Sequence, residues 1–305
     1  MSSFEKRVFF LAAMLLNLAF LFYQVFSCGV VRSILTTMPP EGPEVRRTAD
    51  WLLSCVQDCV VRDVEQSGRF TKQPIARLGE LKSKIVNRVR CRGKVIVLDF
   101  DEDISAISTL GMSGRWTRSQ GKHIALTLWC EKPPARGILP VYYDDQRRFG
   151  NFRIASTREA TSRLDELGWD ALAEPMTSGK ARQRAMKYAK KRICDVLLMQ
   201  DVFAGVGNYI RSEALRRSCV APTRTVASLS KQDWSQLCDE VRNVMSEAYA
   251  AGGARLRDYQ VDDLTSVYQF HLRVYGRTHD PEGNSVVKFK CASGRTVWWC
   301  PAVQV

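Results

Sequence analysis

The stretch TTMPPEGPEV, residues 36 to 45, sets a methionine, two prolines and two glutamates directly ahead of a helix, as if the chain began there. A proline at a chain start carries a secondary amine. Because α-amino groups titrate at about 8, against about 10.4 for lysine, an appreciable share of that amine is unprotonated at neutral pH. It is then a nucleophile able to form an iminium, which acts as an electron sink for elimination, and a neighbouring carboxyl can shuttle the protons. Within a chain the same nitrogen is a tertiary amide with its lone pair delocalised. Pro40 follows Pro39 here, so this chemistry requires that an amine first be exposed. The competing local reading makes Pro40 a helix-entry proline, with Glu41 and Glu44 favoured by the helix dipole.

What precedes these prolines bears on that requirement. Residues 1–37 form a hydrophobic leader in which Val8 to Val31 carry no charge, a run long enough to span a bilayer. It reads as a membrane anchor, a cleaved targeting signal, or translated sequence upstream of the functional start. Signal peptides usually have a shorter apolar core, and organelle transit peptides are richer in Arg and Ser. The sharp change of composition at Thr36-Thr37-Met38 argues against a buried core helix. Initiation at Met38 or proteolysis, with trimming of Pro39, would free the amine. The leader leaves the compartment open, with membrane contact only if it is retained.

The elements that must position such a site are legible in the rest of the chain. Val45, Ala49, Leu52, Leu53, Val56 and Val60 recur at helical spacing, so one amphipathic helix follows the prolines directly. From about residue 60 to 155 the runs CVVRDV, KVIVLDF, HIALTLW and PVYYDD, separated by Gly, Asp and Pro, predict a β-sandwich. Residues 165 to 260 read as helices: KARQRAMKYAKKRICDVLLMQ, GVGNYIRSEALRRS, and a Ser-capped SKQDWSQLCDEVRNVMSEAYAAGG ending at paired glycines. The tail returns to strand, where VVKFK and TVWWC flank CASGR as a tight hairpin.

Charge and cysteines narrow the partner. The 305 residues carry a net charge of +13, and because residues 1–37 hold only Lys6, Arg7, Arg32 and Glu5, the remainder keeps +11. A body this basic favours a polyanion, with nucleic acid first. The ten cysteines include no C-x-x-C pair, which excludes a zinc ribbon or a thioredoxin-type motif. No metal-carboxylate cluster or G-K-[ST] phosphate loop is evident, which argues against a nuclease or helicase.

The motifs PEGPEV, LGMSG, QRRFGNF, GVGNYIRSEAL, GGARLRDY and GRTVWWCPAVQ occur in this order in one chain. Together they resemble the formamidopyrimidine-DNA glycosylase and endonuclease VIII family over residues 38 to 305. The resemblance implies an α+β fold: an N-terminal β-sandwich with a leading helix over 38–166, a helix-two-turn-helix domain over 167–262 and a C-terminal β-hairpin finger over 263–305. It implies a bifunctional glycosylase and abasic-site lyase that excises oxidised bases. The finger departs from zinc-bearing members, since Glu282 and Ser285 stand near the first Cys pair and Val303 replaces the partner of Cys300. One thiolate cannot close a tetrahedral site, so the chain resembles the zincless-finger type, with Trp298 and Trp299 as core material and no metal or cofactor.

Mapped residue by residue, the resemblance makes Pro40 the nucleophile, Glu41 the proton shuttle, Lys94 the site lysine and a phosphate contact, and Glu44 a supporting residue. Met112 and Phe149 become wedges that fill the hole left by a flipped nucleotide, and Arg147 a partner for the orphaned base. Gly205, Gly207, Asn208 and Arg295 become phosphate contacts. The expected partner is damaged DNA, duplex or single-stranded, bound by a monomer. The choice of oxidised base is expected to reside in pocket shape and in the loop near GGARLRDYQVDD. The alternative is a catalytically silent damaged-DNA-binding protein whose proline stays blocked.

Overall fold

The computed structural model describes residues 39–68, 72–134, 137–175, 177–253 and 272–305. The leader, Met38 and the GGARLRDYQVDD loop from residue 254 onward lie outside the described residues. Helix α1 (Gly42–Val56) opens with Pro43 in its first turn and buries Val45, Ala49, Leu52 and Val56. It stops short of Val60, because Gln57 leaves the helical region and Asp58 takes a positive φ of 62°. Val60 instead begins a strand.

Eight strands follow: β1 (Val60–Gln66), β2 (Val86–Arg92), β3 (Val95–Phe100), β4 (Ile104–Thr109), β5 (Gly114–Thr117), β6 (Ile124–Glu131), β7 (Ile138–Asp145) and β8 (Asn151–Ser156). They form two antiparallel four-stranded sheets, ordered β1-β6-β7-β5 and β2-β3-β4-β8. The core joins Leu52 and Val56 of α1 to Leu98, Trp116, Leu128, Val141 and Tyr143 of the two sheets. Strand β3 is buried at every residue because its other face packs on helix α2 (Thr157–Asp165) through Val95, Val97, Ala160 and Leu164. That double burial explains why VIVLDF is a continuous apolar run where a one-sided strand would alternate.

The helical part contains α3 (Ser178–Ala185), α4 (Ile193–Val196), α5 (Asn208–Arg217) and α6 (Lys231–Ala250). The run KARQRAMKYAKKRICDVLLMQ is therefore not one helix. Arg192 is extended and bridges Thr225, and the Ile193 amide donates to the Arg224 carbonyl at 2.8 Å, so pairing with a distant segment draws the chain out of helix.

Strands β9 (Val287–Lys290) and β10 (Thr296–Trp299) form the C-terminal hairpin. Its most buried side chains are Val297, Cys300 and Cys291, whereas Trp298 and Trp299 are half-buried, with Trp298 packed 4.4 Å from the Tyr275 ring. Among the described residues no three His, Cys, Asp or Glu side chains gather where a metal ion could sit. Polar anchors from α5 hold this region. The buried Glu213 carboxylate accepts from the Arg273, Val274 and Tyr275 amides, and Arg216 pairs with Asp280 at 2.7 Å. Fully buried Arg211 donates to the Cys291 sulfur at 3.2 Å, to the Thr296 carbonyl at 3.0 Å and to Asn208 Oδ1.

Candidate active site

The start of α1 is driven against the start of α5. Glu41, 1 % exposed, accepts from the Tyr209 amide at 3.0 Å through Oε1 and from the Ile210 amide at 3.3 Å through Oε2. Both donors lie in the first turn of α5, where unpaired amides and the helix dipole favour a carboxylate. Glu44, equally buried, accepts from the Glu41 amide at 2.9 Å and from the Tyr209 hydroxyl at 3.1 Å. Tyr209 thus holds one glutamate by its backbone and the other by its side chain. Burial and the two carboxylates push its hydroxyl well above the usual phenol range, so it stays a donor.

Two glycines permit this approach. Gly205 has φ +88°, and its carbonyl accepts from the Gly42 amide at 2.8 Å. A Cβ on Gly207 would stand 2.2 Å from Glu41 Cδ. Gly207→Ala should therefore displace the carboxyl, costing about 1–3 kcal/mol of stability and roughly a hundredfold, in single turnover, of the base excision that the sequence resemblance implies. Urea unfolding and quenched-flow excision measure the two effects; a variant with wild-type excision would show that the placement of Glu41 does not matter.

Lys94 reaches the same point from the β2–β3 turn, its Nζ donating to the Val206 carbonyl at 3.1 Å. Burial lowers its pKa, Glu41 and Glu44 oppose that shift, and the charge of Arg295 adds to it. Burial likewise raises the Glu41 pKa against the pull of Lys94 and the α5 amides. Both shifts favour a proton resting on the carboxyl and an uncharged lysine.

Pro40, buried at the head of this cluster, is one peptide unit from Glu41. Asn208 is placed by Arg211, which also ties it to the hairpin bearing the exposed Arg295. The structure thus gathers Pro40, Glu41, Glu44, Lys94, Gly205, Gly207 and Asn208 around one helix terminus, with Arg295 within electrostatic reach.

Met112, Arg147 and Phe149 form a second group. Phe149 is 63 % exposed, the Arg147 guanidinium lies 5.8 Å over its ring, and Met112 is half-buried on the β4–β5 loop. Asp145, buried at the end of β7, fixes the geometry. It accepts from the Arg148 and Gly150 amides at 3.0 and 2.8 Å and from the Ser113 hydroxyl at 2.8 Å, while the Arg147 amide donates to Ser113 at 2.8 Å. Removing this carboxylate takes an acceptor from the buried Gly150 amide and from the Arg148 amide on the exposed loop. Asp145→Ala should cost about 1–3 kcal/mol and lower excision from duplex roughly tenfold or more, while the same lesion in single-stranded DNA, which leaves no hole to fill, is spared. Equal losses on both substrates would rule out a wedge.

Tyr209, Arg211 and Asp145 were not singled out by their residue types. Each stands inside or beside a motif, Tyr209 and Arg211 in GVGNYIRSEAL and Asp145 just before QRRFG, and that adjacency was the available signal.

Residues 38–152 match the model of the formamidopyrimidine-DNA glycosylase N-terminal domain, and residues 167–260 match that of the family's H2TH domain. A formamidopyrimidine-DNA glycosylase of Novosphingobium aromaticivorans is 32 % identical over 279 residues, covering 87 % of this chain and 99 % of the relative. One from Wolbachia of Drosophila simulans is 28 % identical over 275 residues, with the same coverage. Among solved structures, the MutM (Fpg) protein of Thermus thermophilus superposes with a TM-score of 0.76 at 28 % identity, covering 87 % of this chain and 98 % of the other. Lactococcus lactis Fpg in complex with DNA containing an abasic site gives 0.74 at 26 % identity, covering 87 % and 99 %.

Proposed function

Because this chain belongs to the formamidopyrimidine-DNA glycosylase family, we propose that it is a base-excision-repair enzyme that removes oxidised bases from DNA and then cleaves the strand as an abasic-site lyase. The observation that carries this reading is the buried Glu41 carboxyl, seated on the amides of α5, facing Lys94 and adjacent in sequence to Pro40. Once its nitrogen is a free secondary amine, Pro40 attacks the sugar carbon that bears the damaged base. The bond to the base breaks, its electron pair leaves with the base, and Glu41 supplies the proton. The Pro40 nitrogen then gives up its proton, and the bond from the attacked carbon to the ring oxygen opens with the oxygen taking a proton. The resulting iminium draws electrons from the adjacent C–H bond, a base takes that proton, and the 3′ phosphate departs with the electron pair of its bond to the sugar.

The other residues support these steps. Glu44 and Tyr209 hold the carboxyl in place, and Lys94, Asn208 and Arg295 receive phosphates. Met112, Arg147 and Phe149 occupy the space that the flipped nucleotide vacates. A silent damaged-DNA-binding role is the second reading, favoured by the one fact that Pro39 acylates the Pro40 nitrogen in the full chain. Protein beginning at Pro40, incubated with a duplex bearing one oxidised base, should release that base and nick the strand. Tight binding with neither product would select the second reading.

A further inference from the structure

Among the described thiols, Cys291 at the start of the finger turn has surroundings of its own. Burial pushes Cys91, Cys130, Cys194 and Cys238 up to about 12, which leaves them inert at neutral pH. Burial would raise Cys291 as well, but hydrogen bonds to Ser293 and Arg211 and the Arg211 charge outweigh it and hold this thiol below its ordinary value. The geometry accounts for the difference. Arg211 Nη1 donates to the Cys291 sulfur at 3.2 Å, and the Ser293 hydroxyl stands 3.2 Å from the same sulfur. The other acceptors of Arg211 are neutral: the Cys194 and Thr296 carbonyls and Asn208 Oδ1. Its Nε, also buried, has no hydrogen-bond partner among the described residues. A buried guanidinium so placed favours the anionic sulfur, which is the form that attacks.

A cleft of about 740 Å³ gives access. Cys291 and Ser293 line it together with the exposed cations Lys190, Lys191, Arg192 and Lys290. The one carboxylate among its lining residues, Asp195, is committed to accepting from the Ala292 amide at 3.0 Å. Because Cys291 is only 5 % exposed, a small reagent reaches it by entering this cleft, where the cations concentrate anions around the thiol.

We propose that Cys291 is a reversible modification site that takes small disulfides bearing carboxylate or sulfonate groups, the class to which glutathione disulfide belongs. The Cys291 thiolate attacks one sulfur of the disulfide. A new S–S bond forms as the old one breaks, and the other sulfur leaves with the electron pair and takes up the proton that Cys291 gave to solvent. Cys291 is oxidised and the departing thiol reduced, so no further oxidant is needed. The sulfur left on the protein is neutral. Arg211 thereby loses its anionic acceptor, and the same arginine holds Asn208 and the Thr296 carbonyl beside Arg295. Modification loosens the finger turn and a candidate phosphate contact together, and exchange with a free thiol restores both. The thiol chemistry goes beyond the DNA-glycosylase reading; only its effect on DNA rests on it.

Protein beginning at Pro40 keeps the exposed Cys219 as an internal control. It is mixed with two disulfides of similar size and opposite charge, that of 2-mercaptoethanesulfonate and cystamine, and the modified cysteines are followed by peptide mass spectrometry. With the sulfonate reagent Cys291 should react at least about tenfold faster than Cys219 despite its burial. With cystamine that ratio should fall at least about tenfold, and Lys190→Ala/Lys191→Ala/Lys290→Ala should remove the charge preference. Cys219 reacting ahead of Cys291 with both reagents would overturn the proposal, as would a ratio indifferent to reagent charge.

Protein modified at Cys291 should bind a duplex with one reduced abasic site at least about tenfold more weakly, with dithiothreitol restoring the affinity. Cys291→Ser keeps a hydrogen-bonding group for Arg211 and should bind normally while resisting the reagent. Modified protein that binds as well as unmodified would overturn the loosening of the turn. Unmodified protein that fails to bind the duplex sinks the DNA reading instead, and the two rate ratios still decide the thiol site.

Discussion

Protein beginning at Pro40 should be trapped on abasic DNA by borohydride, and protein beginning at Met1 should give at least about a thousandfold less adduct. The difference follows from a single nitrogen. In the full chain it is acylated by Pro39 and has neither a lone pair to donate nor a proton to lose. Freed, it titrates at about 8, so roughly a tenth is reactive at pH 7. Protein beginning at Pro39 makes the comparison quantitative. It also presents a secondary amine, but one residue farther from Glu41, a displacement of up to about 3.8 Å along the chain. Since misplacement by about 1 Å can cost roughly a hundredfold, Pro39 protein should trap at least that much more slowly than Pro40 protein. Equal trapping by all three proteins would place the nucleophile elsewhere, with Lys94 the next candidate at the site. An acetylated Pro40 protein should behave as the Met1 protein does, which separates loss of the amine from any effect of extra chain length.

The sandwich, the opening helix and the hairpin were legible because their signals are local: helical spacing from Val45 to Val56, β-rich runs such as VIVLDF, and a Ser-Gly turn between two strands. The end of α1 and the break near Arg192 were not. A positive φ at Asp58 and pairing of Arg192 with Thr225 are tertiary outcomes that leave no mark on periodicity. The site was legible only through ordered motifs. PEGPEV and GVGN lie far apart in the chain, and nothing local in either predicts that the Glu41 carboxyl meets the Tyr209 and Ile210 amides. The hairpin shows the converse. Its paired tryptophans drew attention by size, yet the polar anchor is Arg211, an arginine whose full burial could not be read from a helix rich in charge.

Glu41→Gln should lower base excision about 10²–10⁴-fold, the range expected for loss of a positioned acid, and should lower cleavage of a preformed abasic site far less. Excision needs a proton delivered to the departing base. An abasic sugar has already lost its base and offers an open aldehyde to the amine, so the first and hardest proton transfer is absent. Burial raises the Glu41 pKa above its ordinary value despite Lys94 and the α5 amides, which keeps the carboxyl protonated to higher pH and sets the alkaline limb of the excision profile. The glutamine variant has no such proton to lose, and its residual rate should lack that limb. Stability gives an independent check. With the folded pKa raised, Glu41 favours the fold fully below the unfolded carboxyl value, and that contribution is lost as pH rises through the folded value. The glutamine amide does not titrate, so the stability of wild type relative to the variant should decline across that window when unfolding is followed at a series of pH values. A gap that widened with pH would mean that Lys94 and the amides outweigh burial. Glu41 would then act as a fixed carboxylate, and the proton for the leaving base would have to come from another group.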